Sequence, residues 1–261
     1  MLTIQDHLDR TITLSHPPKR IISLVPAITE TMYHLGLENE IIGRTRFCIH
    51  PQDKVSKAMN IGGTKEIKLD RILELKPDLI IAEKEENTRE IVETLEQHYP
   101  VFVFEVKKIT DVYRMIYDVG QLTSREEKSL NLVQEIKVAF QTLPNVNSKR
   151  AAYVIWKKPY MVVGGDTYIQ SLLENIGFIN PFILSEGRYP VVTEEDLLEA
   201  NLDYILLATE PYPFRDQHLE EFQEMLPNVK PKIVDGEMFW YGARMLKAAD
   251  YFRRVFGTLV D

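Results

Sequence analysis

Two stretches of the chain, DRILELKPDLIIA at 70–82 and EDLLEANLDYILL at 195–207, align without gaps at a constant offset of 125 residues. Each reads as a short helix, a turn carrying Asp78 or Asp203, and an apolar strand. A strand apolar on both faces must be covered on both sides, which is the habit of parallel sheets packed with helices. A chain that carries this unit twice is constrained to two α/β halves. The echo also pairs Asp70 with Glu195 in the first turn of the equivalent helix. Acids there complement the helix dipole, so position alone does not make either a functional residue.

The rest of the chain keeps the same rhythm. ITL (12–14) and IISLV (21–25) are β-rich, and Pro26 opens a helix with Ile28, Met32 and Leu35 on one face, closed by Gly36. IIG (41–43) is a strand, LDRILEL (69–75) a helix stopped by Pro77, and LIIA (79–82) a buried strand. Asn87 and Glu90 stand as a capping-box-like start for a helix carrying Ile91 and Leu95, followed by VFVFEV (101–106). In the second half AAYVIW (151–156), MVV (161–163), YILLA (204–208) and KIVD (232–235) read as strands. TYIQSLLENIG (167–177), EEDLLEA (194–200, capped by Thr193) and ARMLKAADYFRRVF (243–256) read as helices.

Between the halves, residues 111–143 are helical by pattern, broken near Thr123-Ser124. SREEKSLNLVQEIKVAFQTL places Leu130, Val133, Ile136 and Phe140 on an apolar stripe. At about 1.5 Å per residue such a segment makes a rod of about 30 Å. The expected organisation is an α/β fold of two Rossmann-like lobes with mainly parallel sheets: a first lobe over 1–122, a bridging helix over 123–145, and a second lobe over 146–261.

A net charge of −8 over 261 residues argues against nucleic acid as a partner, because phosphate binding needs a basic face. One cysteine allows no internal disulfide. The opening MLTIQDHLDRTITLSHPPKR lacks the apolar core of a secretory signal, and no lipoprotein-type cysteine lies near it. Two expectations for location stay open: periplasmic or cell-surface with the signal removed, or cytoplasmic if Met1 is the native start.

PPKRIISLVPAITETMYHLG followed by GGTKEIKLDRILELKPDLIIA resembles the opening of the class III substrate-binding proteins of ABC importers. These are the cobalamin- and iron–siderophore-binding proteins, or helical-backbone metal receptors. VVGGDTYIQSLLENIG and RYPVVTEEDLLEANLDYILLA carry the likeness into the second half. The resemblance implies two lobes braced by one long helix, with the ligand in a cleft between them. It places cleft aromatics at Phe47, Tyr189 and near Trp156, and puts Thr64 where the cobalamin-binding members have a tryptophan. Trp240, Tyr241 and Arg244 fall in a loop that faces the ligand in that family. One surface acid per lobe docks there on arginines of the membrane permease, and the matching residues are Asp70 and Glu195. Asp70 is one methylene shorter than the family's glutamate.

GRTRFCIHP (43–51) holds the single cysteine, Cys48, two residues before His50. A zinc site needs four ligands in paired spacings, and the other histidines offer no companion. A nucleophile would need an orienting carboxylate and an oxyanion hole. An axial contact to the metal of a bound chelate, or a buried thiol beside a satisfied histidine, are the remaining readings. Arg44, Arg46, Lys65, Arg188 and Arg244 would make a basic cleft if they converge, suited to an anionic chelate. GGDT (164–167) is either a tight turn or an anion site on a helix N-terminus.

The function expected is binding rather than catalysis: capture of a metal chelate (corrinoid, siderophore or haem) by Phe47, Cys48, His50, Arg46, Thr64, Lys65, Trp156, Tyr189, Trp240 and Arg244. A monomer with no intrinsic cofactor would then deliver the chelate to an ABC permease through Asp70 and Glu195. The rival expectation is a cytoplasmic chaperone or enzyme handling the same ligand on the same fold.

Overall fold

A computed structural model describes residues 1–259. The chain divides into two compact units. Unit one takes residues 1–106, 110–136 and 241–243; unit two takes 107–109, 137–240 and the chain from 244 onward.

Unit one opens with a hairpin, β1 (Leu2–Gln5) and β2 (Thr11–Leu14), paired antiparallel. Then follow β3 (Ile21–Ser23), α1 (Pro26–His34), β4 (Ile41–Arg44), β5 (Met59–Asn60), α2 (Leu69–Leu75), β6 (Leu79–Glu83), α3 (Arg89–Glu96) and β7 (Val101–Phe104). The sheet is all parallel in the order β5-β4-β3-β6-β7. Every residue of β3, β6 and β7 is buried, as strands covered on both faces must be. The β1–β2 loop closes the free edge of β7: the Val103 amide donates to the Asp6 carboxylate at 3.2 Å, and the His7 amide donates to the Val103 carbonyl at 3.1 Å.

After α4 (Ile109–Thr123) and α5 (Glu126–Phe140), unit two builds β8 (Ala151–Trp156), β9 (Tyr160–Val162), α6 (Tyr168–Ile176), β10 (Val191–Val192), α7 (Glu194–Glu199), β11 (Tyr204–Ala208), α8 (Gln217–Met225), β12 (Lys230–Val234) and α9 (Arg244–Phe256). Its sheet runs β10-β9-β8-β11-β12. β8, β11 and β12 are parallel, while β9 turns back as a hairpin on β8. Its core gathers Ala152, Val154, Leu197, Ile205, Leu207, Phe214 and Phe222. On the α9 side, Phe239, Phe252 and Phe256 pack with ring centroids 5.0 and 5.8 Å apart.

The structure shows the α/β class and mainly parallel sheets that the strand rhythm implies. Three local expectations change, and three elements were not expected. Asn87 is not a helix cap: Thr88 takes that role, its hydroxyl accepting from the Ile91 amide, because the Asn87 amide is committed elsewhere. On α5 the buried line is Ser129, Leu132, Ile136 and Phe140, leaving Leu130 54% exposed. That phase follows from the Arg125 amide bonding to the Gly120 carbonyl and Ser129 packing on Gly120, where an added Cβ would fall 2.2 Å from the serine oxygen. α5 runs over the 15 residues Glu126–Phe140, shorter at both ends than the segment expected as a rod, while the break expected near Thr123-Ser124 is present, with Ser124 at φ +55°. β1, β10 and α8 are too short or too polar to announce themselves in the sequence.

Candidate functional site

In unit one the carboxyl end of β4 feeds the loop 45–51. Its path is set by the Arg46 amide, which donates to the Gly62 carbonyl at 2.8 Å. Gly62, at φ +119°, turns the GGTKE segment so tightly that a Cβ there would fall 2.4 Å from the Glu66 carbonyl oxygen. Against this turn the Arg46 guanidinium lies 4.9 Å from the centre of the Phe47 ring. Phe47 is 48% exposed, and Ile49 and Met59 are exposed nearby in sequence. A stacked cation–aromatic pair with apolar neighbours suits a flat, partly apolar ligand.

Cys48 points the other way. It is 0% exposed, with the hydroxyls of Thr29 and Thr45 at 3.1 and 3.2 Å from its sulfur. Burial pushes its thiol above the ordinary value of 9.0, the two threonines pulling against it. This is a small buried side chain, without the exposed thiolate that a nucleophile or metal ligand presents. His50 is half-buried on the same loop. Among the described residues no three His, Cys, Asp or Glu side chains gather as a metal site.

Thr64 is buried and Lys65 exposed. Both sit on a loop strapped to the β6–α3 turn. The Asn87 side-chain amide donates to the Thr64 carbonyl at 2.9 Å, its oxygen accepts from the Glu83 amide at 2.9 Å, and the Lys65 ammonium donates to the Glu85 carbonyl. Glu83 is 2% exposed at the end of β6, its carboxylate accepting from the amides of Glu85, Glu86 and Val106. Burial still holds its pKa above the usual carboxylate range. Glu83 is not singled out by the sequence motifs, and Asn87 is read there as a helix cap; the signal available for Glu83 is an acid closing the apolar run LIIAE.

In unit two Trp156 ends β8 with 39% of its surface exposed. Its ring meets Tyr212 edge-on at 5.7 Å, and Tyr212 in turn packs on Phe214 and His218. Tyr189 is half-buried on a loop fastened on both sides of it: the Gly164 amide donates to the Arg188 carbonyl at 2.8 Å and the Val162 amide to the Pro190 carbonyl at 3.0 Å. GGDT is thus a packing turn. A Cβ on Gly164 would sit 2.8 Å from the Gly187 carbonyl, and Thr167 caps α6 with its own hydroxyl, 3.1 Å from the Gln170 amide.

Trp240 donates its indole N–H to Glu210, and the Arg244 guanidinium lies 5.7 Å from the Trp240 ring. Arg244 is 3% exposed and 3.5 Å from the Glu237 carboxylate, so its charge is opposed within its own unit. Arg44 is likewise turned inward on the carbonyls of Val55 and Thr45. Of the basic residues expected to converge, Arg46 and Lys65 are the ones exposed on unit one.

Asp70 and Glu195 are each the second residue of their helix, α2 and α7, and both are exposed. Neither carboxylate has a hydrogen bond or ion pair among the described residues. α7 instead caps itself through Thr193 and Asp196, whose side chains each accept from the other's backbone amide. Glu195 is left over from helix-building, as Asp70 is.

A family model described as periplasmic binding protein matches residues 21–229. Among related sequences, a vitamin B12-binding protein of Vibrio vulnificus is 27% identical over 187 residues, covering 70% of this chain and 68% of that protein. An ABC transporter substrate-binding lipoprotein of Bacillus subtilis is 25% identical over 218 residues, covering 78% and 68%. Among solved structures, the periplasmic vitamin B12-binding protein of Vibrio cholerae shares the fold at a TM-score of 0.78 and 21% identity, over 93% of this chain and 98% of that one. A periplasmic haem-binding protein from Roseiflexus does so at 0.77 and 17% identity, over 93% and 99%.

Proposed function

The chain belongs to the periplasmic binding protein family, and from that premise we propose that it is the substrate-binding protein of an ABC-type importer, carrying a metal chelate outside the cytoplasmic membrane and delivering it to a permease. The observation that carries this reading is the family match across 21–229, joined by relatives named for vitamin B12 and haem binding. Phe47 with Arg46 on unit one, and Trp156, Tyr189 and Trp240 on unit two, supply the exposed or half-exposed aromatic area such a ligand stacks on. Lys65 adds an outward charge. Cys48 and Arg244 support the surfaces from within rather than meeting the ligand.

The test is titration of the purified protein with cyanocobalamin, hemin and a ferric hydroxamate, read by tryptophan quenching and calorimetry. Saturable binding of one of these is expected, and binding of none overturns the reading. Asp70 and Glu195, exposed and unpaired on equivalent helices, are proposed as the permease contacts. Reversing both charges to arginine should leave ligand affinity unchanged and abolish stimulation of the permease's ATPase. An equal loss of ligand binding would refute that assignment. The rival reading of a cytoplasmic chelate chaperone or enzyme drew in part on the Cys48/His50 pair, and burial of the thiol weakens that part.

A further inference from the structure

Unit two carries a carboxylate that the contact set above does not include. Glu210 lies two residues beyond β11, and β11 neighbours β8 at the place where the strand order of the sheet reverses. In open α/β sheets ligands gather outside the carboxyl ends of the strands at such a switch point. Trp156 closes β8 on one side of that point, and Glu210 follows β11 on the other.

The acid is held in place from two directions. One carboxylate oxygen accepts the indole N–H of Trp240. The backbone at Gly236 presses on its stem, for a Cβ there would fall 2.4 Å from the Glu210 Cγ. The second carboxylate oxygen has no hydrogen bond among the described residues, and the side chain is half-buried rather than enclosed. The nearby cation, Arg244, pairs with Glu237. An ionised acceptor in such a place is strong toward N–H donors and repels carboxylates.

We infer that Glu210 is a specificity-determining contact of unit two: with one oxygen fixed on Trp240, the other accepts N–H groups of the ligand and selects a chelate rimmed by neutral amides over one rimmed by carboxylates. The inference rests on the chelate-binding reading and adds to it the chemistry of the ligand's edge.

The experiment compares wild-type protein with Glu210→Gln, which keeps an oxygen for the Trp240 indole and removes the charge. Near-UV circular dichroism and tryptophan emission check that the indole stays in place. Two matched ligand pairs are used: cyanocobalamin against the monocarboxylic acids made by hydrolysing one of its side-chain amides, and N-acetyl against N-succinyl ferrioxamine B. Hemin serves as the dicarboxylate probe. The wild type should favour the amide member of whichever pair it binds by about tenfold, the worth of one hydrogen bond to a charged group, and Glu210→Gln should bring that ratio toward one. Equal ratios in the two proteins, a wild-type ratio near one, or binding of hemin more tightly than both amide ligands overturns the inference while the chelate-binding reading stands. Binding of no probe by the wild type overturns that reading and this inference with it.

Discussion

Cys48 offers a direct test of how the β4 loop is built, because its burial has a consequence that can be read as stability against pH. The sulfur is fully enclosed, and burial raises its pKa above 9.0 in the folded protein. In the unfolded chain the thiol ionises near that ordinary value of 9.0. Above that pH the folded state binds more protons than the unfolded state, so the free energy of unfolding falls as pH rises. The contribution is fully present below about pH 8 and is lost at up to about 1.4 kcal/mol per pH unit until the folded thiol titrates. Cys48→Ala removes this dependence. At neutral pH it should cost about 1 kcal/mol, for lost sulfur contacts and a small cavity. Urea unfolding of both proteins at pH 7, 8, 9 and 10 should therefore show the gap between them closing with pH. Tyr113, Tyr153, Tyr160 and Tyr251, raised by burial in the same way, titrate in both proteins and cancel in the difference, whereas Tyr33, which the Cys48 charge also pushes up, belongs to the Cys48 effect. Native labelling by a thiol reagent should also be slower than in urea by about a thousandfold if it waits on an opening of about 4 kcal/mol. A gap that stays constant from pH 7 to 10, together with labelling complete in seconds in native buffer, would refute the placement of this side chain.

Phe47→Ala should weaken chelate binding by about tenfold, with a change in melting temperature of no more than a degree or two, because the ring is nearly half exposed; calorimetry and thermal unfolding together check it. Asn87→Ala removes the two buried hydrogen bonds that join the Thr64 loop to β6 and should cost about 2–3 kcal/mol in urea unfolding. Asn87→Asp should fail to rescue it, since the Thr64 carbonyl needs a donor. Thr193→Ala dismantles the cap of α7 and should cost about 1 kcal/mol by the same assay, with ligand affinity intact.

Much of the fold was legible because its central strands are wholly apolar and its helices carry their own stop signals. Gly177 ends α6 at φ +91°, and Thr167 and Thr193 cap α6 and α7 as their positions imply. What the sequence hid was competition for side chains. Asn87 has the right spacing from Glu90 for a cap, yet its amide bridges two buried backbone groups that lie far apart in sequence. A local pattern cannot display such a demand. The candidate surfaces hid for a related reason. Of the arginines placed near the ligand by their loops, Arg44 and Arg244 turn inward to satisfy carbonyls or an acid of their own unit. Glu210 follows an apolar strand in the plain sequence YILLATE, and only the strand order shows that it stands at the switch point.

The internal echo proves deeper than its apolar pattern. Both sheets repeat one spatial order, with β3, β4, β5, β6 and β7 answering to β8, β9, β10, β11 and β12. β6 and β11 begin at residues 79 and 204, at the same offset the sequence carries. The turn before each strand is locked by the same parts. Asp78 accepts the Arg20 amide at 3.0 Å, and Asp203 accepts the Arg150 amide at 2.8 Å. The Arg20 side chain bonds the Leu75 carbonyl at the end of α2, and the Arg150 side chain bonds the Ala200 carbonyl at the end of α7. An arginine satisfies helix-end carbonyls that would otherwise lack partners, and an aspartate ties that arginine's backbone to the next strand. The device fixes the helix relative to its sheet in each unit, and with it the exposed acid in the helix's first turn. The common anchor gives both carboxylates equivalent stations on their own sheets, which is what a partner reading one acid from each unit would need.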